Sequence, residues 1–197
     1  MLLEQIKRVV VEMMEAGLSP RLYYHDIRHT LAVFEVATAM AKQEEVSAEE
    51  TLLLQVAALF HDIGFLKTRA EHESASCEIA HEVLPQFGFA EAQIARICGM
   101  IMATKIPQSP QNFLEQILCD ADLDYLGRPD FHFIANRLFL ELKAYDILHD
   151  EQAWNRLQVM FMRSHQYFTE HSRNTRGTVK RQHLQEIVDQ LSPHAFE

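Results

Sequence analysis

Eleven histidines in a chain of net charge -10 make metal ligation the first chemistry to consider. Three His-Asp dipeptides occur, at His25-Asp26, His61-Asp62 and His149-Asp150, and the dipeptide alone carries little information. The middle one has a distinctive context. It closes the apolar run from Leu52 to Phe60 and is followed at once by Ile63-Gly64, which sets an imidazole and a carboxylate at the inner end of a core helix. Burying both there costs several kcal/mol unless they are paired or hold an ion. His29, amid Thr30-Leu31-Ala32-Val33-Phe34, offers a second inward imidazole from an earlier helix. Carboxylates interrupt an apolar stretch again at Asp120-Ala121-Asp122-Leu123-Asp124. Residues two apart on a helix point in nearly opposite directions, so Asp120 and Asp122 are not expected to share one ion. Asp122 stands four after Leu118 and three before Tyr125, on the apolar side, which favours it. Asp120 shares a face with Asp124 and stays the alternative.

Two imidazoles and two carboxylates suit a divalent ion such as Mn, Fe, Co, Ni or Zn, with Mg also open, and leave positions for water and substrate. An ion so held lowers the pKa of a water and stabilises charge on a phosphoryl group. Asp62 would both ligate and help to accept the proton. The alternative is a buried, hydrogen-bonded polar network without metal.

The elements that must position these groups read as helices throughout. Apolar residues recur at helical spacing, as in Leu3, Ile6, Val10 and Met13, and no run alternates with a period of two. Gly and Pro, six of each, fall mostly between the periodic runs. Ser47 with Glu50 predicts a capping box, Ser109-Pro110 an N-cap with proline in the first turn, and Asp130 and Asp150 further caps. The pattern predicts helices over about 2-16, 26-45, 48-62, 71-84, 90-104, 110-126, 130-148, 150-171 and 178-191. The expected fold class is all-α, a helical bundle with short loops forming a single domain over residues 1-197. No repeat or flexible linker interrupts it.

Taken together, Tyr24-His25-x-x-x-His29-Thr30, Ala57-Ala58-Leu59-Phe60-His61-Asp62-Ile63-Gly64 and Asp120-Ala121-Asp122 resemble the HD superfamily of metal-dependent phosphohydrolases, over about residues 22-126. The resemblance implies an HD-domain core with additional C-terminal helices packed on it. It also implies that His29, His61, Asp62 and Asp122 hold a catalytic divalent cation. The expected activity is hydrolysis of a nucleotide or another small phosphate ester. Thr104 stands where two-metal relatives offer a further histidine, which favours a single ion. No Gly-Tyr-Pro follows the His-Asp pair, so the chain does not resemble the cyclic dinucleotide phosphodiesterase branch.

Other residues are expected around that centre. His25 suits a supporting or packing role, and His72 with Glu73 a contact with substrate or with a weak second ion. Glu71 is a candidate general acid or base, against the simpler reading of favourable charge in a helix's first turn. Lys67, Lys105 and Arg128, with Arg28, are candidate phosphate partners, each otherwise a surface charge. The basic stretch Arg173 to Arg181 reads as a solvated interhelical loop that could line an entrance.

Composition bounds the alternatives. With 18 Lys+Arg against 28 Asp+Glu, nucleic acid and anionic membranes are disfavoured as partners. Charged residues interrupt the N-terminal helix, and Leu52 to Phe60 is too short to span a bilayer. Cys77, Cys98 and Cys119 form no CxxC pair, which fits a reducing cytoplasm. Two other functions stay open: a metal- or nucleotide-binding sensor without catalysis, and a nucleic-acid processing factor.

Overall fold

The computed structural model describes residues 2–191, all-helical among the described residues. The chain forms two compact units, Met1–Asp122 and Leu123–Glu197. The division falls inside the helix expected over 110-126. That helix is shorter, because it ends at Asp122 and passes into a tight 3-10 turn at Asp124–Gly127.

The first unit contains α1 (Leu2–Gly17), α2 (Ile27–Gln43), α3 (Ala48–Phe60), α4 (His72–Val83), α5 (Glu91–Ala103) and α6 (Phe113–Asp122). Its centre is α3, which buries Leu53, Leu54, Val56, Ala57, Ala58, Leu59 and Phe60. A helix apolar on every side must be surrounded, and α1, α2, α5 and α6 all pack against it. Ser47 caps α3 by accepting from the Glu50 N–H. The Glu50 carboxylate takes the Ser47 hydroxyl at 3.0 Å. The proline cap expected at Ser109-Pro110 is not used. α6 starts at Phe113, where Asn112 Oδ1 accepts from the Glu115 N–H at 3.1 Å.

The second unit contains α7 (Phe131–Ala144), α8 (Glu151–Ser164) and α9 (Glu170–Gln190). The turn at Asp124–Gly127 packs on α9 so closely that a Cβ at Gly127 would lie 2.5 Å from the Arg176 carbonyl oxygen. Asp150 caps α8 as expected, accepting from the Ala153 N–H. Asp130 holds the position before α7, but its carboxylate pairs with Arg128 instead of the helix N–H groups. The stretch expected as a basic loop is wholly helical. Thr169 caps α9, accepting from the Ser172 N–H, and the helix runs through Arg173 to Arg181 without a break. No described helix is long and apolar enough to cross a membrane.

Candidate metal centre

The three His-Asp dipeptides do different work. Asp26 caps α2, its Oδ1 accepting from the Arg28 and His29 N–H groups at 3.0 and 3.2 Å, and Asp150 caps α8. Asp62 caps nothing. It begins the 3-10 turn Ile63–Leu66, yet its side chain makes no capping bond and turns inward. The apolar length of α3 makes this difference, because it carries His61-Asp62 into the interior before the chain turns.

Four side chains meet there. His29 comes from the first turn of α2, His61 and Asp62 from the end of α3, and Asp122 from the end of α6. His29 Nε2 lies 3.2 Å from His61 Nε2, 3.4 Å from Asp62 Oδ2 and 3.1 Å from Asp122 Oδ1. His61 Nε2 lies 3.3 Å from Asp62 Oδ2 and 3.6 Å from Asp122 Oδ1. His29, His61 and Asp62 are 9%, 1% and 4% exposed. The backbone sets the His61 ring, because Nδ1 lies 2.8 Å from the Ala58 carbonyl oxygen and must donate to it. The lone pair of the neutral ring is then on Nε2, facing the cluster.

Asp62 Oδ2 is buried with no hydrogen-bond partner, although both imidazoles lie close to it. An orphaned carboxylate oxygen beside two facing imidazole nitrogens is a donor set that fits a cation. Without an ion, protons take its place electrostatically. Burial pushes the His61 imidazole down, but the Asp62 and Asp122 carboxylates beside it hold it well above its ordinary value. Burial pushes Asp62 up, and the charge of the neighbouring His61, aided by His72, holds it well below the carboxylate range. Asp122 is likewise held low against burial by His29 and His61.

The Asp122 and Asp120 expectations meet the structure unevenly. Asp122 stands in the cluster, but the spacing to Tyr125 does not place it there, since α6 has ended before that residue. Asp120, the alternative, is fully buried. Asp124 lies in the second unit, where Arg176 Nε contacts its Oδ1 at 2.6 Å.

Around the four groups, His72 Nε2 lies 3.4 Å from Asp62 Oδ1 and 3.6 Å from Glu73 Oε1. Its Nδ1 lies 3.2 Å from the Arg69 carbonyl oxygen. Burial lowers the His72 pKa, but the Asp62 carboxylate outweighs it and the net direction is upward. His25 and His72 both stack on Phe65, with ring centroids at 4.4 and 4.1 Å, and lie 6.2 Å from each other. Glu73 is buried, while Glu71 is exposed and ion-paired with Lys105. Lys67 bridges Glu78 and Glu82 at 3.3 Å each. Arg128 lies in the second unit, paired with Asp130 and 3.9 Å from Asp124.

Phe65 and Ser76 escape the sequence reading. The Ser76 hydroxyl accepts from the Gly64 N–H and donates to the His61 carbonyl, both at 2.8 Å, tying α4 to the motif. A Cβ at Gly64 would stand 1.9 Å from the His72 carbonyl oxygen, so this approach needs glycine. The Gly64 following the His-Asp pair was the available signal.

A family model described as HD domain matches residues 26–124, half of the chain, close to the 22-126 expected. No curated protein matches the chain. Among solved structures, it is similar to a predicted HD superfamily hydrolase from an uncultured Thermotogales bacterium, at 24% identity and a TM-score of 0.61. The match covers 95% of this chain and 91% of that one, and it is a likeness of fold.

Proposed function

The chain belongs to the HD domain family, and from that premise we propose that it is a metal-dependent phosphohydrolase whose single divalent cation is held by His29, His61, Asp62 and Asp122. The observation that carries the proposal is the buried, unpartnered Asp62 Oδ2 facing two imidazole nitrogens. When bound, an ion there supplies Lewis acidity, lowering the pKa of a water and stabilising charge on a phosphoryl oxygen. Mn, Fe, Co, Ni and Zn suit the ligand types, and the residues do not exclude Mg.

The remaining chemistry is assigned to the chain's own groups. Asp62 reaches in two directions, with Oδ2 toward His29 and His61 and Oδ1 toward His72. It can therefore accept a proton and pass it outward through His72. Neutral His72 becomes cationic on taking that proton, the form that Asp62 favours, and is then suited to bind a phosphoryl oxygen. Lys105 is assigned the same substrate, with Glu71 beside it as proton donor or acceptor. Lys67 would need to leave Glu78 and Glu82 to take part, as Lys105 would need to leave Glu71. His25, stacked on Phe65, is assigned a supporting role that holds the His72 side of the site. The substrate class that follows is a small phosphate ester, a nucleotide first among those to be tried.

The test is a screen of phosphomonoesters and nucleotides with metal-stripped protein reconstituted with each ion. Turnover that depends on the ion and disappears in Asp62→Ala supports the proposal. Nucleotide binding without product, with every ion, would favour a sensor.

A further inference from the structure

The second unit carries another cluster of metal-ligating groups, independent of the function proposed above. His132 stands in the first turn of α7, and His183 and Glu186 stand three residues apart on α9, on one face. One ligand atom from each of the three lies within 4.8 Å of the others. His132 Nε2 is 2.9 Å from Glu186 Oε2, and the His132 and His183 rings meet edge to face with centroids 5.4 Å apart.

His183 is the anchor of this group. It is buried and stacked against Phe131 at 4.6 Å, with Nδ1 3.0 Å from the Leu126 carbonyl oxygen. A carbonyl only accepts, so Nδ1 carries the proton and the lone pair of the neutral ring is on Nε2. Ligating histidines are commonly oriented this way, with the other ring nitrogen donating to a carbonyl or carboxylate. A surface ion pair would account for His132 and Glu186, but it has no need of a third, buried imidazole with a fixed tautomer.

We propose that His132, His183 and Glu186 bind a divalent transition-metal ion of the Zn2+ class that clamps the start of α7 to α9. Two imidazoles and one carboxylate match the ligands such ions prefer, with solvent completing the coordination, whereas Ca2+ and Mg2+ favour all-oxygen surroundings. The exposed His132 and Glu186 give the ion direct access from solvent. Binding to the folded unit alone raises its stability by mass action.

The experiment is a Zn2+ titration of the metal-stripped full chain by calorimetry, beside His132→Gln/Glu186→Gln. Both substitutions are on exposed side chains, and circular dichroism checks that the helices remain. The variant is expected to bind one equivalent fewer than the unsubstituted chain; equal stoichiometry and affinity overturn the proposal. Should the variant not fold, Co2+ added to 15N-labelled unsubstituted chain gives the answer. Paramagnetic broadening of the Leu126, His132, His183 and Glu186 amides supports this site, and broadening confined to the surroundings of His29 and His61 overturns it. The same map separates it from the proposed catalytic centre, because either site can be seen without the other.

Discussion

The two His-and-carboxylate clusters differ chiefly in what surrounds them. In the first unit His29, His61 and Asp62 are all buried, and one carboxylate oxygen is left without a partner. In the second, His183 alone is buried, and the His132 and Glu186 side chains are 55% and 53% exposed. Water can solvate the second cluster with or without an ion, so its imidazole and carboxylate settle into an ordinary pair. It cannot do so for the first. Desolvation turns the same residue types from a surface feature into a demanding site, and that demand is what an ion or a set of protons must meet.

The largest effect should come from striking the buried cluster. Asp62→Ala is expected to lower kcat/KM for any phosphate ester turned over by more than about a hundredfold, beyond the loss usual for an outer partner of a metal ligand. Steady-state assays with the reconstituted ion measure it, and circular dichroism should show the helices retained. Unchanged turnover would remove the distinction between the clusters.

Next in size is the close contact that holds α4 to the motif. Gly64→Ala places a methyl group against the His72 carbonyl and the Ser76 N–H, and the neighbours are backbone atoms that cannot swing away. We expect a loss of about 1–3 kcal/mol or more in urea unfolding, the range of an overpacked core. Equal stability would mean that the 3-10 turn and α4 are not held together as described.

A smaller loss is expected for His72→Ala. At 3.4 Å the Asp62 contact it removes is long, and its loss is expected to cost about 0.5–1.5 kcal/mol. If His72 contacts the phosphoryl group, KM rises; if it only relays the proton, kcat falls while KM stays. The split between the two constants therefore sharpens the assignment.

The smallest effect belongs to the second unit and to pH. Burial, aided by the charge of Arg181, lowers the Lys180 pKa from 10.5 to about 8. Between those values the unfolded chain holds a proton on this lysine that the folded chain has released. Stability from Lys180 therefore rises with pH through the window, and its cost is fully present below about 8. Comparing urea melts across the window, Lys180→Met should show a shallower rise than the unsubstituted chain. Parallel pH profiles would contradict the assignment.

How much of this the sequence revealed depended on whether the signal was local. Helical periodicity located α1 to α5 to within a few residues, and Ser47 and Asp150 announced their own caps. The approach of His29, His61 and Asp62 was legible because a wholly apolar helix cannot end in polar groups without a reason. Three features were not legible. Pro110 looked like a helix start, but the chain waits for Asn112 to cap α6. The polar stretch from Arg173 to Arg181 looked like a loop, since propensity is weak evidence where tertiary packing, here of the turn at Gly127 on α9, decides. His132 joins His183 and Glu186 only through the packing of α7 and α9, which no local pattern announces.

The most direct test of the central claim is anomalous diffraction at the metal edge, from crystals of the full chain grown with saturating Mn2+, Co2+ or Zn2+. The account predicts a peak bounded by His29 Nε2, His61 Nε2, Asp62 Oδ2 and Asp122 Oδ1. The four side chains still in mutual contact with no anomalous density between them, for every ion tried, would contradict it.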